Sequence, residues 1–403
     1  MRGAGFSVAR AEKNTRGLKK PLWFPNGYKK SVYLPRKEVC MVGIGIDGFG
    51  RIARILTRML VEHHAYRRDF RIVALRMRPE DDLASRAKDL LNDEIYGPWV
   101  GHRVEYGEHE LVVDGISIPI IPDGKPWDDI DIAVIATRGV RRLEDFKQRA
   151  IGSKRALITK PLAGVDKTFV YFINCDEYQP VCHLLCSAAS CTTTAAVSVL
   201  HPLLKNFGPF FCSGITVHAA TSSQEVMRTL NQILPAATGA SQAVEVILPA
   251  LAGKTDFFAI RAPHVSASWL RLSCVFWPGM RPPLQSVIDA LREAESTYLR
   301  GILKTEWNPL SRTNDSSGEH KGEEHAAIIN CAQITPCFDW GYHIPVWYDN
   351  EKGFVGSNLV RLVVMMAACQ RYEQMVPLSD YSFIPEGGGK IGGEDEVKQR
   401  MDD

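Results

Sequence analysis

An α/β fold is expected from this chain, a doubly wound parallel sheet followed by an α+β half, and three observations carry that expectation. Between residues 39 and about 190, short apolar runs alternate with segments of helical periodicity, the order that lays helices on both faces of a parallel sheet. The first run feeds a glycine turn, Asp47-Gly-Phe-Gly-Arg-Ile-Ala-Arg54, that opens a helical pattern. Farther on, the small-residue stretch Ser187-Ala-Ala-Ser-Cys-Thr-Thr-Thr-Ala-Ala196 sets one cysteine, Cys191, where a turn gives way to an apolar helix.

At 403 residues, 45% of them hydrophobic, and with a formal charge of +2, the chain can bury a large core and has room for two domains and appendages. No uninterrupted apolar run approaches a bilayer span, and the start lacks the apolar core of a secretory signal. The ten cysteines are scattered, mostly in apolar runs and without paired Cys-x-x-Cys spacing. That argues for reduced thiols inside a cell, in the cytoplasm or an organelle such as the mitochondrion, and against a disulfide framework or a metal site. Residues 1–38 form a basic extension, ten Lys or Arg against Glu12 and Glu38, with Trp23, Phe24, Tyr28 and Tyr33 between them. Its first eleven residues fit a transit peptide, its later part fits an arm that binds a protein or a nucleic acid, and a solvated tail would read alike. Residues 373–403 form a second tail, too polar and glycine-rich to pack.

Taken in order, residues 39–46 read as the first strand of a Rossmann-type dinucleotide-binding domain, with Ile55, Leu56, Met59 and Leu60 as the buried stripe of the following helix. Gly48, Gly50 and Ala53 match G-x-G-x-x-G/A, in which the glycines allow a tight turn and close approach of a pyrophosphate to helix N–H groups. Gly48, Phe49, Gly50, Arg51 and Ile52 are therefore candidate cofactor contacts, although a tight turn without a ligand has the same pattern. Asp47 fits poorly, because a carboxylate there repels a pyrophosphate unless it turns away or Arg51 neutralises it. The second strand, 70–75, leads into Arg76-Met-Arg78 and not into the Asp or Glu that would take ribose hydroxyls. Arg76 or Arg78 can hold a 2′-phosphate, which tilts the cofactor from NAD toward NADP; solvated strand-end arginines would read the same way. A helix at 80–91, strands at 111–121 and 130–136, a helix at 142–149 and strands at 155–159 and 181–186 complete this half.

Ser190 is a good N-cap for the helix that Cys191 starts, and unpaired N–H groups at a helix start favour a thiolate. A small buried cysteine among hydroxyls is the plainer reading. A strand at 213–217 then leads into His218-Ala-Ala-Thr-Ser-Ser-Gln224, and a histidine there can take the thiol's proton and later shuttle one to or from a substrate oxygen. Next come Pro235-Ala-Ala-Thr-Gly-Ala240, Arg261 in a strand-like run, and Trp347-Tyr-Asp-Asn-Glu351 before a helix through Leu359, Leu362 and Met366.

By motif order the chain resembles phosphorylating glyceraldehyde-3-phosphate dehydrogenase over roughly residues 39–372. The resemblance rests on Gly48-Phe-Gly-Arg-Ile52, Ala189-Ser-Cys-Thr-Thr193, His218-Ala-Ala-Thr221 with Gln224, Ala237-Thr-Gly-Ala240 and Trp347-Tyr-Asp-Asn-Glu351. It implies that Cys191 attacks an aldehyde with His218 as its base, that hydride passes to NAD or NADP, and that inorganic phosphate releases the acyl group. It also implies that Ser190, Thr192, Thr238 and Gly239 hold the inorganic phosphate, that Thr221 and Arg261 hold the phosphate of a small phosphorylated aldehyde, and that Asn350 meets the nicotinamide carboxamide. Hydroxyls and an arginine are what phosphate oxygens require. The implied domains are a dinucleotide-binding domain at 39–190, a catalytic domain at 191–345 and a helix at 346–372 that returns to the first domain.

The departures from that family are local. Besides Asp47 and the missing ribose acid, residues 225–234 are much shorter than the family's loop, and Arg228 is its only arginine. That loop lines the cofactor site and packs between subunits in the family, so the family's tetramer is in doubt here. Ala188 and Thr194 replace two asparagines, Gln242 replaces a lysine, and a tyrosine after Glu351 is missing. Two functions fit: an active, divergent aldehyde-phosphate dehydrogenase, which the paired cysteine and histidine favour, or an impaired relative that serves as a subunit or adaptor through its basic arm.

Overall fold

The computed structural model describes residues 41–137, 139–219, 234–236, 238–308 and 317–375. The basic extension, Thr221, Gln224, Arg228 and residues 376–403 of the tail lie outside the described residues.

The first sheet has nine strands: β1 Val42–Asp47, β2 Phe70–Met77, β3 Val104–Tyr106, β4 Glu110–Val113, β5 Ile116–Pro122, β6 Ile130–Ile135, β7 Ser153–Ile158, β8 Lys167–Thr168 and β9 Leu185–Ser187. Their spatial order is β8-β9-β7-β6-β1-β2-β5-β4-β3. All pairs are parallel from β8 to β5, and the last two are antiparallel. Every residue of β1 and β6 is buried, and the alternation of side chains explains why both faces are covered. Ile132 and Val134 of β6 enter one core with α1 Arg51–Glu62 and α2 Leu83–Leu91, whereas Ala133 and Ile135 enter another with Phe146 of α3 Leu143–Ala150. This is the doubly wound arrangement expected.

One expected strand, 111–121, is two. Asp114 and Gly115 take left-handed φ values of 52° and 78°, and the chain folds back as the β4–β5 hairpin. An Asp-Gly pair between alternating apolar residues was the available signal.

The second sheet is built from β10 Phe211–Ala219, β11 Leu234–Ala236, β12 Thr255–Ala262, β13 Ser268–Val275, β14 Leu303–Glu306, β15 Ala327–Asn330, β16 Thr335–Cys337 and β17 Gly341–Tyr348. The order is β11-β12-β10-β13-β17-β15-β14, with β16 on β17. Helices α4 Cys191–Phe207, α5 Ala240–Ile247 and α6 Leu284–Ser296 share one core with it. Phe211, Ile215 and Phe258 lie on the opposite, exposed face, so this sheet is packed on one side.

Beyond β17 come a short helix Lys352–Phe354, a π-turn Val355–Leu359 and α7 Val360–Met375. α7 runs three residues into the stretch expected to be tail. By length and composition Lys352–Arg371 could cross a membrane, contrary to the expectation from uninterrupted runs. Phe354, Val355, Leu359, Leu362, Val363 and Met366 instead pack into the first core beside α1. Asn358 ties that packing to the cysteine: its amide donates to Ala188 O at 2.8 Å and its carbonyl accepts from Tyr171 N at 2.8 Å.

Candidate active site

Three elements converge on Cys191. β9 delivers Ala188 and Ala189, both fully buried, with Ala189 in the left-handed region at φ 58°. Ser190 then caps α4, its hydroxyl accepting from Thr193 N at 3.2 Å, and Cys191 is the first helical residue. β10 carries His218 across the sheet, and its Nε2 stands 3.4 Å from Cys191 Sγ. β17 ends in Tyr348, a buried phenol whose oxygen lies 2.9 Å from Thr192 Oγ1 and 2.8 Å from Thr216 Oγ1. Tyr348 thereby fixes the start of α4 against β10. Sequence reading passed over it inside the Trp-Tyr-Asp-Asn-Glu run, although a tyrosine in an apolar strand needs a partner for its hydroxyl.

The electrostatics of burial act against the expected thiolate. Burial pushes the Cys191 thiol up to about 11, with the Glu351 charge adding to it and Arg261 opposing. His218 is pushed down to about 3 by burial and by the Arg261 charge. Cys191 keeps some accessible surface, yet burial acts on its thiol against the helix start and holds the thiolate back.

Arg261 is opposite His218 in the parallel β10–β12 register, and its guanidinium contacts His218 Nδ1. Asn350, expected to face a nicotinamide, is buried; its amide lies 3.3 Å from His218 Nδ1 and its carbonyl accepts from Ser268 Oγ. Of the candidate phosphate groups, Thr192 is buried with its hydroxyl committed to Tyr348, so it does not present that oxygen to a phosphate. Ser190 Oγ is engaged with Thr193. Thr238 Oγ1 accepts from Ala240 N at 3.2 Å, and Gly239 is exposed at the start of α5.

The dinucleotide side opens at the glycine turn. Gly48 has φ 89°, and a Cβ there would meet Thr137 Cα at 2.9 Å. Gly50 begins α1 with no side-chain cap and open space where a Cβ would stand. Phe49 is buried and Ile52 packs against the first core, so both support the turn. Around it lies a cavity of about 590 Å³ lined by Gly48, Gly50, Arg51, Arg54, Arg78 and Thr137 among others. Uncapped N–H groups and a side-chain-free approach fit the pyrophosphate of a dinucleotide, while the cavity's Arg51, Arg54 and Arg78 already meet Glu94, Asp89 and Asp81 on its wall. Arg54 was missed, although Arg51-x-x-Arg54 places both on one helix face.

Asp47 does turn away, and Arg51 is not what neutralises it. At 1% exposure it pairs with Arg76 at 2.9 Å and Arg149 at 2.6 Å, while Arg51 pairs with Glu351 at 2.8 Å and Glu94 at 3.0 Å. The same network corrects Arg76. That side chain is 2% exposed, lies 3.9 Å over the Trp127 ring, and donates to Lys125 O and Arg149 O, so it does not reach a 2′-phosphate. Arg78 remains at the cavity, half-exposed and bonded to Asp81, which also holds Arg86 at 2.7 Å.

Two family models match this chain in sequence: the glyceraldehyde 3-phosphate dehydrogenase NAD binding domain over residues 42–140 and the C-terminal domain of the same family over 190–350. Similar curated proteins include glyceraldehyde-3-phosphate dehydrogenase 2 of Streptomyces avermitilis, 30% identical over 343 residues, 81% of this chain and 98% of the relative. The glyceraldehyde-3-phosphate dehydrogenase of Chlamydia muridarum is 30% identical over 77% of this chain and 95% of its own length. Glyceraldehyde-3-phosphate dehydrogenase 1 of Candida glabrata is 31% identical over 81% and 99%. The chain belongs to the glyceraldehyde-3-phosphate dehydrogenase family. The two matches of this glyceraldehyde-3-phosphate dehydrogenase family member meet its two sheets: the first spans the glycine turn and Arg78, the second begins at Ser190 and ends at Asn350.

Proposed function

We propose that the chain is an NAD(P)-dependent dehydrogenase that oxidises a small phosphorylated aldehyde through a thioester on Cys191. The observation that carries this reading is the placement of Cys191 Sγ 3.4 Å from His218 Nε2, with the Arg261 guanidinium on the ring's other nitrogen. Cys191 adds to the aldehyde carbon once its proton passes to Nε2, and His218 returns a proton to the carbonyl oxygen as the thiohemiacetal forms. Arg261 supplies the charge partner for the substrate's phosphate, beside Thr221 in the family's pattern. Gly48, Gly50 and the start of α1 hold the dinucleotide with Arg51 and Arg54, and Arg78 favours NADP over NAD. Bound there, the nicotinamide supplies the hydride acceptor. Inorganic phosphate then displaces Cys191 from the acyl group, with Ser190, Thr238 and Gly239 as its candidate holders.

The test is reduction of NADP or NAD by purified full-length chain with glyceraldehyde 3-phosphate and inorganic phosphate, with Cys191→Ser as the blank. The commitment of Asn350 to His218 and Ser268 favours a second reading, an impaired subunit or adaptor acting through residues 1–38. No turnover with either cofactor would establish that reading in place of the first.

A further inference from the structure

The His218 imidazole has one partner at Nε2 and a conflict at Nδ1. The Ala219 carbonyl lies 2.7 Å from Nδ1 and can only accept a hydrogen. The Arg261 guanidinium and the Asn350 amide, the latter at 3.3 Å, lie on the same nitrogen and can only donate. One nitrogen cannot serve both. While Arg261 holds the Nδ1 lone pair, the ring hydrogen sits on Nε2 and no lone pair faces the Cys191 thiol. When Nδ1 instead gives its hydrogen to Ala219, Nε2 is free to take the thiol's proton and the ring becomes imidazolium.

Charge favours the same division. Arg261 touches the ring on the side away from sulfur, so its positive charge opposes an imidazolium more strongly than it assists the thiolate beyond it. The other groups facing the pair are His264, which adds a weaker positive influence on the ring, Glu351, whose charge acts on the thiol, and Tyr348, packed edge-on with its ring centre 6.2 Å from that of His218. Arg261 is also a guanidinium in want of an anion. Among the described residues it has no carboxylate partner, and its Nε is buried without a hydrogen bond.

We propose that Arg261 holds the Cys191–His218 pair idle and that the phosphate group of the substrate, by drawing Arg261 onto itself, releases His218 to become the base. This rests on the reading of Arg261 as the substrate-phosphate partner. Arg261 is thus a positioning residue for the base as well as a binding residue. The atoms balance: as the guanidinium exchanges the ring nitrogen for phosphate oxygens, the ring hydrogen leaves Nε2 and Nδ1 gains one by exchange with solvent, Nδ1–H donates to Ala219 O, and the emptied Nε2 then takes the Cys191 proton. An aldehyde without a phosphate then suffers in kcat and not only in KM, because it leaves the base blocked.

The experiment is a pH titration of the full-length chain by the ultraviolet absorbance of the Cys191 thiolate, with Cys191→Ser as the blank. The probes are glycerol 3-phosphate, which has the phosphate but no aldehyde, and glycerol as its neutral control. The apparent thiolate pKa is expected to fall by about one to three units with glycerol 3-phosphate and to stay unchanged with glycerol. Arg261→Met is expected to show the lowered value without any ligand and no further response. An unchanged or raised pKa with glycerol 3-phosphate overturns the gate, as does an Arg261→Met variant that titrates like wild type. Should that variant fail to fold, the wild-type titration decides alone. Turnover without the shift would sink the gate and leave the dehydrogenase reading intact, whereas the shift without turnover would support the gate and sink that reading.

Discussion

Asp47 and Arg76 stand opposite each other in the β1–β2 register, at 1% and 2% exposure, and Asp47→Ala is the perturbation that exposes what they do. Arg149 would keep Asp123 at 2.7 Å, but Arg76 would keep, among the described residues, backbone carbonyls and the Trp127 ring as its direct partners, with Asp123 acting on it from farther off. Removing one member of a buried ion pair costs about 3–5 kcal/mol, because the stranded charge stays out of water, whereas replacing both by apolar groups of similar volume is often close to neutral. Asp47→Ala is therefore expected to lose about 3–5 kcal/mol, and Asp47→Ala with Arg76→Met to recover about 2 kcal/mol or more of it. Urea unfolding of the single and double variants measures the coupling. Calorimetric titration of Asp47→Asn with NADP and NAD adds a functional arm: a carboxylate facing a pyrophosphate would bind cofactor more tightly once neutralised, but one turned into the sheet should not. A single-variant cost below about 1 kcal/mol, or tighter cofactor binding by Asp47→Asn, would refute this account of the network.

His218 yields a pH prediction. Its folded value is pushed from 6.5 down to about 3, so below 6.5 the unfolded chain takes a proton that the folded chain refuses, and stability falls by about 1.4 kcal/mol per pH unit until about pH 3. His218→Gln should remove that slope in acid unfolding curves, and an unaltered slope would show that His218 titrates normally. Arg78→Gln should weaken NADP binding by about tenfold or more, the worth of one charged hydrogen bond, and NAD binding little; equal losses in titration calorimetry would take the 2′-phosphate role from Arg78. Because residues 225–234 are shorter in sequence than the family's inter-subunit loop, light scattering is expected to find a monomer or dimer. A stable homotetramer would show that other surfaces compensate.

The sequence by itself determined the layers and pointed to Cys191 and His218, which the fold brings together. Apolar runs alternating with helical stripes leave a parallel sheet little alternative to helices on both faces, as β6 shows by sending Ile132 and Ala133 into different cores. The local chemistry of Gly48, Gly50, Ser190 and Cys191 was legible for the same reason: a turn or helix start needs those residue types within a few positions. The Asp114-Gly115 hairpin was equally local and was overlooked. Only the tertiary structure decided the state of the charged groups. Whether Asp47 faces a ligand or Arg76 and Arg149, 29 and 102 residues away, depends on which strands become neighbours, and nothing near Asp47 in sequence encodes that. The same holds at the Cys191–His218 pair, where Arg261 and Tyr348 arrive on strands, and Asn350 just past one, far along the chain from Cys191. A helix start raises the expectation of a thiolate through short-range N–H groups, but desolvation is summed over everything packed around the sulfur, and here that sum pushes the Cys191 thiol up.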